Sequence, residues 1–307
     1  MNNVSDYDLF SYDYSQYWQK RRYEHLSETH LLNKIFSKKM GNWFLDVGGS
    51  YGRLTPTYIN SYKNPVILDY SAKTLKSNYE VLTNKYPGIH LIAANAYKMP
   101  FKENVFDGGL MVRVLHHIEK PQDYFKEIYR VLNGQSNYIQ EFANKIHIKA
   151  RLKALLTGDW EIFNKQPYQQ PDKNNHEGAR KNSCVPFLNY HPKWVKEQLK
   201  SSGFNIVKKY GCSYLRIGFL KKAVSQNVLN LGERLLQQTL SWSNIPPSIF
   251  LHTCKTSHVK KEVDMKLASI LACPDCHGDL EINKERATCK ECKREYNKQN
   301  SIWDFRI

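Results

Sequence analysis

Long apolar stretches are missing from this sequence of 307 residues. A membrane-spanning helix needs about eighteen consecutive apolar residues. No run in this sequence approaches that length, so we expect no such helix. Residues 1–17 are polar, acidic and rich in tyrosine, without the basic start and apolar stretch of a secretory signal peptide. These absences predict a cytoplasmic protein with no membrane partner.

Cysteine is scarce, and its pattern does not suit a disulfide framework. There are seven cysteines, an odd number, and Cys184, Cys212 and Cys254 are scattered singly. Without a secretory signal, this pattern argues against a secreted fold that is held together by disulfides. The other four cysteines lie in two pairs near the C-terminus and indicate a metal site.

Acidic residues are too few to balance the basic ones. The formal net charge is +16. Residues 145–235 contain 17 Lys or Arg against 6 Asp or Glu, a net charge of +11, whereas residues 264–307 contain 8 of each. A basic middle region suggests an anionic partner, such as nucleic acid or an acidic substrate. A surface that is simply rich in lysine explains the composition equally well, so both readings stay open.

What the sequence does contain is organised around a glycine-rich turn at residues 44–52. The apolar run 43–47 predicts a strand that carries one acid, Asp46. The glycines that follow it are Gly48, Gly49 and Gly52. Because glycine lets the backbone turn sharply and lie against a ligand, a strand, this turn and a helix predict the first unit of a nucleotide-binding sheet.

A second acid follows at the spacing that such a sheet uses. The apolar run 65–69 ends in Asp69. In doubly wound nucleotide-binding folds, an acid at the tip of the second strand binds the two hydroxyls of a ribose. We therefore predict that Asp69 lies beside the glycine turn and accepts hydrogen bonds from a nucleoside.

Strands and helices alternate along the first half of the chain, in units of 20–30 residues. This rhythm predicts the α/β class: a doubly wound, mostly parallel, seven-stranded Rossmann-like sheet with helices on both faces. The predicted strands are 43–47, 65–69, 89–93, 105–111, 136–142, 204–210 and 249–254. The last of these is expected as an antiparallel edge strand. Asn133 and Gly134 are expected to end the helix over 121–132 as a left-handed cap.

The rest of the chain divides into a cap, an insertion and a small module. Residues 1–40 predict a helical, aromatic cap, and 41–258 the main domain. Within it, the basic insertion at about 145–190 predicts a helix over 145–156 and a lid over 165–182. Residues 215–240 read as helical. Their apolar stripe is expected in the core, and it consists of Leu229, Leu231, Leu235, Leu236 and Leu240.

The ordered motifs resemble class I S-adenosylmethionine-dependent methyltransferases, and most of all the group with ubiquinone-biosynthesis-like motifs. The motifs are Leu45-Asp46-Val47-Gly48-x-x-x-Gly52, Asp69, Ala94-Asn95-Ala96-x-x-x-Pro100-Phe101, Phe106-Asp107, Leu115-His116-His117-Ile118 and Ile128-x-Arg130-Val131-Leu132. The resemblance is strong over residues 40–142 and weak over 190–254.

This resemblance implies the cofactor S-adenosylmethionine and a role for each matching residue. Asp46, Gly48, Arg113 and Val114 would lie near the methionine end and the sulfonium. Asp69 would accept from the ribose, and Asn95 with the Ala96 N–H would bind the adenine edge. The remaining predicted cofactor residues are Gly49, Ser50, Gly52 and Tyr70. Ser50 and Asn95 depart from the family, which usually has a glycine and an acid there.

The acceptor end of the site is assigned by the same resemblance. His117, His116 and Glu141 are the candidates for a catalytic base, although a structural role for the two histidines stays open. Tyr17, Tyr23 and His191 are predicted to line the substrate pocket.

Two Cys-x-x-Cys pairs, separated by twelve residues, predict a structural zinc site near the C-terminus. The predicted ligands are Cys273, Cys276, Cys289 and Cys292. Four thiolates leave no open coordination position, so the site stabilises a module that is too small to fold alone. The segment 264–307 also resembles the small zinc-ribbon activator subunit of tRNA, rRNA and release-factor methyltransferases, here fused in cis.

Three functions follow from these observations. The first is methyl transfer to a small-molecule acceptor, with oxygen preferred over nitrogen and an anionic acceptor suggested by the basic insertion. The second is RNA methylation, which the activator-like ribbon and the basic segment favour. The third is a scaffold that binds the cofactor without catalysis, suggested by Ser50 and Asn95. The sequence does not give the acceptor atom or the oligomeric state.

Overall fold

The computed structural model describes Trp18, residues 20–170 and residues 187–306. A parallel sheet forms its centre, and each strand is rich in apolar residues that are buried on both sides. The parallel strands are β1 (Gly41–Val47), β2 (Tyr62–Asp69), β3 (His90–Ala93), β4 (Phe106–Met111) and β5 (Leu132–Ala143). Their spatial order is β3-β2-β1-β4-β5. The prediction of a mostly parallel Rossmann-like sheet is confirmed.

Helices lie along this sheet as the alternating sequence predicted. They are α1 (Arg22–Phe36), α2 (Ala72–Lys85), α3 (Pro121–Val131), α4 (Ile148–Thr157), α5 (Pro192–Ser201), α6 (Gly218–Ala223) and α7 (Gln226–Thr239). Local sequence fixes several helix starts. The Ser71 hydroxyl accepts from the Thr74 N–H at 3.1 Å and so caps α2. In the described residues, no helix combines the length and the apolar character that crossing a membrane requires.

The two strands that complete the main sheet are antiparallel to β5 or to each other. They are β8 (Phe204–Cys212) and β9 (Ser248–Lys255). The prediction that 249–254 forms an edge strand is wrong, because β9 lies between β5 and β8. Nearly every residue of β9 is buried, whereas β8 contains several exposed and partly exposed residues. Continuous burial of this kind belongs to an inner strand.

The predicted glycine cap of α3 is also wrong. Helix α3 ends at Val131, and β5 begins at the next residue. Gly134 does not have the positive φ of a left-handed cap. A Cβ at Gly134 would instead lie 2.3 Å from the Val259 carbonyl oxygen. Glycine is needed here because the segment around Val259 passes directly over β5.

The insertion is described in part. The basic helix predicted over 145–156 is present as α4, and a short hairpin pairs β6 (Tyr168–Gln169) with β7 (Leu188–Asn189). Most of the predicted lid falls on residues 171–186, which lie outside the described residues. The segment 215–240 forms the two helices α6 and α7.

The leucine stripe of α7 is only partly in the core, which corrects the prediction. Leu229 is buried with an exposed fraction of 3%, whereas Leu231 and Leu235 are 60% and 55% exposed. Glu233 and Gln237 take buried positions instead, where they hydrogen-bond to each other. The inner face of α7 is therefore partly polar, and apolar residues remain outside.

The C-terminal module extends the same sheet. A short helix, α8 (Leu267–Ile270), leads into strands β10 (Leu280–Ile282), β11 (Arg286–Cys289), β12 (Glu295–Gln299) and β13 (Ile302–Asp304). Strand β13 pairs in parallel with β3, with Trp303 opposite Ile92. The described residues thus form one continuous sheet of eleven strands. Trp303 and Phe305 pack in the same apolar cluster as the main domain.

Candidate cofactor and acceptor site

A cavity of about 560 Å³ opens where the carboxyl ends of the parallel strands meet. This is the edge at which open α/β sheets bind ligands. The structure brings most of the predicted site residues to its walls. These are Asp46, Gly48, Gly49, Ser50, Asp69, Tyr70, Asn95, Ala96, Arg113, Val114, His116, His117 and Glu141.

The glycine turn forms one wall of the cavity. Gly48 has φ +73°, and a Cβ there would lie 2.3 Å from a Val114 methyl carbon. Gly52 also has a positive φ, and its N–H donates to the Gly49 carbonyl at 2.9 Å. Gly52 closes the turn without lining the cavity. Ser50 has φ 50°, the left-handed conformation that the usual glycine adopts without strain.

Asp69 joins the two loops that carry the predicted cofactor residues. One carboxylate oxygen accepts from the Ser50 N–H and the other from the Ser71 N–H, each at 2.9 Å. The acid at the tip of β2 therefore lies against the glycine turn, as the spacing predicted. Since a carboxylate has about four lone-pair positions, these two contacts are compatible with hydrogen bonds from a ribose to Asp69.

Asn95 is held in place by its own chain. Its side-chain oxygen accepts from the Tyr97 N–H at 2.9 Å, which is a local turn typical of asparagine. This contact fixes the amide at the cavity wall and leaves one lone pair of the oxygen for an adenine amino group. An uncharged Asn95 therefore fits the position that an acid occupies in the family.

A buried ion cluster supports the side of the cavity formed by α1. Glu28 is fully buried and accepts from Arg53 and Arg113, each at 2.7 Å. Burial alone would raise the pKa of Glu28, but the two guanidinium groups outweigh it and hold the pKa below its usual value. The Arg53 guanidinium also lies 3.6 Å from the centre of the Trp18 ring, a cation–π contact.

Asp46 is buried directly under the turn. Its carboxylate accepts from the Tyr58 hydroxyl at 2.9 Å. Burial raises the pKa of Asp46 to about 7, although the Tyr58 hydrogen bond and Arg53 act to lower it. At neutral pH this carboxyl is therefore poised between its two protonation states. A cationic ligand group close to it would favour the ionised form.

The cavity wall also carries the candidate histidine bases. The short 3₁₀ helix Leu115–His117 presents both histidines, whose ring centres are 4.0 Å apart. Phe187 packs on them, with ring centres 4.5 Å from His116 and 5.4 Å from His117. Imidazoles beside an aromatic wall are suited to proton transfer at a partly apolar acceptor.

Glu141 lines the cavity, but both of its carboxylate oxygens accept hydrogen bonds from other residues of the protein. It accepts from the Arg113 N–H at 2.8 Å and from the Ser248 hydroxyl at 2.6 Å. Burial raises its pKa, against the opposing effect of Arg113. These contacts fix the loop after β4, where Arg113 itself has φ 64°. Glu141 acts in the structure as an anchor for that loop.

The four predicted zinc ligands come together in the C-terminal module. The Cys273 and Cys292 sulfurs are 3.7 Å apart, those of Cys276 and Cys289 are 3.4 Å apart, and all four lie within 4.8 Å of one another. A tetrahedral site with Zn–S bonds of about 2.3 Å spaces its sulfurs by about 3.8 Å. The Tyr296 hydroxyl lies 3.2 Å from the Cys273 sulfur and supports it. This donor set fits structural zinc.

Two family profiles match the chain. The profile described as "Methyltransferase domain" matches residues 45–139, and that described as "Trm112p-like protein" matches residues 264–297. The chain contains a methyltransferase domain and a Trm112p-like domain. The predicted resemblance to S-adenosylmethionine-dependent methyltransferases with a zinc-ribbon activator is confirmed, as are the two predicted cofactors.

Similar curated proteins include two methyltransferases. The chain is 25% identical over 182 residues to 24-methylenesterol C-methyltransferase 2 of Arabidopsis thaliana, covering 57% of this chain and 45% of that one. It is 24% identical over 180 residues to the ubiquinone/menaquinone biosynthesis C-methyltransferase UbiE of Stutzerimonas stutzeri, covering 52% and 70%. The chain spans about half the length of the first relatives that it matches.

Solved structures share the fold of most of this chain. One is a chain from the complex between the Haloferax volcanii Trm112 methyltransferase activator and the putative methyltransferase, with a TM-score of 0.54 and 11% identity. The match covers 84% of this chain and 100% of that one. At this identity the likeness establishes the fold.

The three residues predicted to line the substrate pocket are not found there. Two of them, Tyr23 and His191, do not line the cavity, and the third lies outside the described residues. The buried Tyr23 hydroxyl donates to Glu233 on α7 and accepts from the Leu215 N–H, so Tyr23 fastens α1 to the end of β8. His191 caps α5, where its ring nitrogen accepts from the Lys193 N–H at 3.2 Å. Tyr17 lies outside the described residues.

Sequence reasoning missed the contribution of α1 to the methyltransferase domain's site. Glu28 lies on the buried face of α1, in register with Leu31 and Ile35. An acid among apolar residues at helical spacing is costly unless it is paired, and this was the available signal. Its two arginine partners are 25 and 85 positions away along the chain. The sequence therefore does not indicate which basic residues pair with Glu28.

The raised pKa of Asp46 predicts how stability depends on pH. In the unfolded chain this carboxyl titrates near 4, so between about pH 4 and 7 the folded protein binds more protons. Stability therefore falls as pH rises through this window, by about 4 kcal/mol in total. Asp46→Asn removes this loss, and its stability relative to the parent should rise between about pH 4 and 7.

Urea unfolding of both proteins at several pH values measures this difference. Asp123→Asn, at an exposed carboxylate in the first turn of α3, is the matched control and should follow the parent. Parallel stability curves for Asp46→Asn and the parent would show that Asp46 titrates normally in the fold.

Proposed function

We propose that this chain transfers a methyl group from S-adenosylmethionine to a small, partly apolar acceptor. The observation that carries the proposal is that one cavity is lined by the glycine turn and Asp69 and also by His117 and Phe187. A concave, partly apolar cavity with a few polar groups is the usual form of a small-molecule site. The names of the sterol and quinone methyltransferase relatives agree with an apolar acceptor.

The protein's part in this reaction is mainly positioning. The cofactor supplies an electrophilic methyl group on its sulfonium. Asp69, Asn95 and the glycine turn would hold its nucleoside, and the Glu28 cluster would keep Arg113 at the cavity wall. His117 would accept the proton from the acceptor where one must leave. The relatives are named as C-methyltransferases, so we extend the earlier preference for oxygen to include carbon.

His117→Asn tests the proposed base. We expect kcat to fall by about 10²-fold or more, because general bases contribute about 10²–10⁴-fold, while the affinity for S-adenosylmethionine stays the same. His258→Asn, at an exposed histidine of the linker, is the control. An unchanged kcat would assign the histidine pair a structural role.

The acceptor class is tested with a panel, and S-adenosylhomocysteine release is measured for each member. The panel contains quinols, sterols, prenylated phenols, tRNA and rRNA. Turnover of the apolar small molecules alone supports the proposal. Turnover of RNA alone would overturn it, and binding of S-adenosylmethionine without any turnover would support a scaffold.

RNA methylation is the second candidate because of the Trm112p-like domain. One solved structure that shares this fold comes from a complex that contains a Trm112 methyltransferase activator, and residues 145–235 carry a net charge of +11. The C-terminal segment 264–307, which contains the Trm112p-like match at residues 264–297, has no net charge, so the basic segment would have to bind the phosphates. Such binding weakens steeply with salt, and a salt titration of RNA binding measures it.

A further inference from the structure

Helix α4 turns its apolar side chains outward. Of its ten described residues, only Ala154 is buried. Leu152, Leu155 and Leu156 are 52%, 59% and 88% exposed. A helix that packs on its own protein buries its apolar stripe, so α4 is built to contact something else.

Exposed aromatic side chains lie on the segment after α4 and on α6. Trp160 follows α4, is 62% exposed and stacks on Phe163 with ring centres 6.0 Å apart. Phe219 of α6 is 75% exposed. The start of α6 is tied to the start of α4, because the Lys149 ammonium donates to the Arg216 carbonyl at 3.0 Å. We call this region, formed by residues 148–163 and 217–223, the α4–α6 surface.

Basic residues are interleaved with the apolar ones. The α4–α6 surface holds five Lys or Arg against two acids, Asp159 and Glu161. Lys149, Lys153 and Lys222 are exposed. Leucines flanked by lysines, with an exposed tryptophan and phenylalanine, form the pattern of a segment that lies in the interface of an anionic bilayer. A helix of this kind rests on a membrane without spanning it.

The α4–α6 surface borders the cavity. His147 caps the N-terminus of α4 through the Ala150 N–H and also lines the cavity. Arg216, which directly precedes the start of this surface on the α6 side, lines the cavity as well. An apolar acceptor that enters from this side would pass from a lipid layer toward His117 without crossing bulk water.

We propose that the α4–α6 surface docks the protein on an anionic phospholipid membrane from which the acceptor enters the cavity. This inference rests on the proposed function for the acceptor, and it replaces the expectation of no membrane partner. The charge of the surface favours anionic lipid over a second copy of the chain, because two copies would bring like charges together. Protruding leucines also exceed what binding to RNA phosphates requires.

Sedimentation of the full chain with vesicles tests the docking. We expect binding to phosphatidylcholine vesicles that contain phosphatidylglycerol, weak binding to phosphatidylcholine alone, and a decrease with added salt. The double variant Leu155→Glu, Leu156→Glu should lower the partition coefficient by about tenfold or more, since it removes two inserted side chains. Val81→Glu, at a 65% exposed valine of α2, is the matched control and should bind as the parent does.

Several results would overturn the proposal. One such result is that the parent chain fails to bind the mixed vesicles. Another is that the double variant binds them as well as the parent does. A concentration-dependent dimer that the double variant abolishes, without vesicle binding, would assign the surface to self-association. Loss of RNA binding in the double variant, again without vesicle binding, would assign it to RNA.

The outcome is separable from that of the proposed function. Turnover of a short-chain, water-soluble acceptor should be the same in the parent and in the double variant. Only turnover of the acceptor embedded in vesicles should fall. Vesicle binding without methyl transfer would support membrane docking and reject the proposed function. Methyl transfer without vesicle binding would support the proposed function and reject membrane docking.

Discussion

Replacement of Cys289 by serine is expected to unfold the Trm112p-like domain. The four sulfurs lie within 4.8 Å of one another, and structural zinc contributes about 10–16 kcal/mol to the folding of small zinc modules. Loss of one thiolate weakens that contribution in a domain with little core of its own. Zinc content by mass spectrometry should fall, and hydrogen exchange in β10 to β13 should rise toward that of an unfolded chain.

The effect should reach the methyltransferase domain through β3. When β13 detaches, Ile92 and the edge of β3 become exposed, and unpaired edges promote aggregation. Treatment of the parent chain with a strong chelator should have the same effect. Cys254→Ser, at a thiol on β9 that donates to the Gln135 carbonyl, is the control and should keep both zinc and solubility. Full protection of β3 in Cys289→Ser would show that the domains fold independently.

Replacement of Asp69 by alanine is expected to weaken S-adenosylmethionine binding by about 2–3 kcal/mol, or roughly 30- to 150-fold in Kd. The physical reason is the loss of hydrogen bonds to a charged acceptor at the tip of β2. Asp69 also receives the Ser50 and Ser71 N–H groups, so its removal loosens the glycine turn. Isothermal titration calorimetry of the purified chain measures the change.

Two further variants separate these contributions. Asp69→Asn keeps a side-chain oxygen for one loop N–H and removes the charge, so its affinity should lie between those of the parent and Asp69→Ala. Asp123→Ala, at an exposed acid, should bind as the parent does. Equal affinities for Asp69→Ala and the parent would mean that the nucleoside does not lie at Asp69.

The parts of the site that the sequence predicted are those formed by neighbouring residues. The turn at Gly48 and the position of Asp69 follow from strand length and from the fixed geometry of a βα unit. The cysteine pairs follow from the short span that a zinc knuckle needs. In each case the residues that determine the structure lie within about one βα unit or one small module, as with Ser50 and Asp69, which are 19 positions apart.

The parts that it did not predict depend on contacts between distant segments. Glu28 meets Arg113 across 85 positions, and Tyr23 meets Glu233 across 210. The place of β9 inside the sheet depends on β8, which pairs with it from outside. Local periodicity carries no information on such pairings, because each segment shows only that it needs a partner.

The pairing of β3 with β13 also sets an order in time. Residue 93 completes β3, but β13 is complete only at residue 304, so at about 5–20 residues per second roughly 10–40 s of synthesis separate the two. During that interval the growing chain presents an open strand edge. The sheet is therefore closed on that side only after the C-terminal module has been made and has folded around its zinc site.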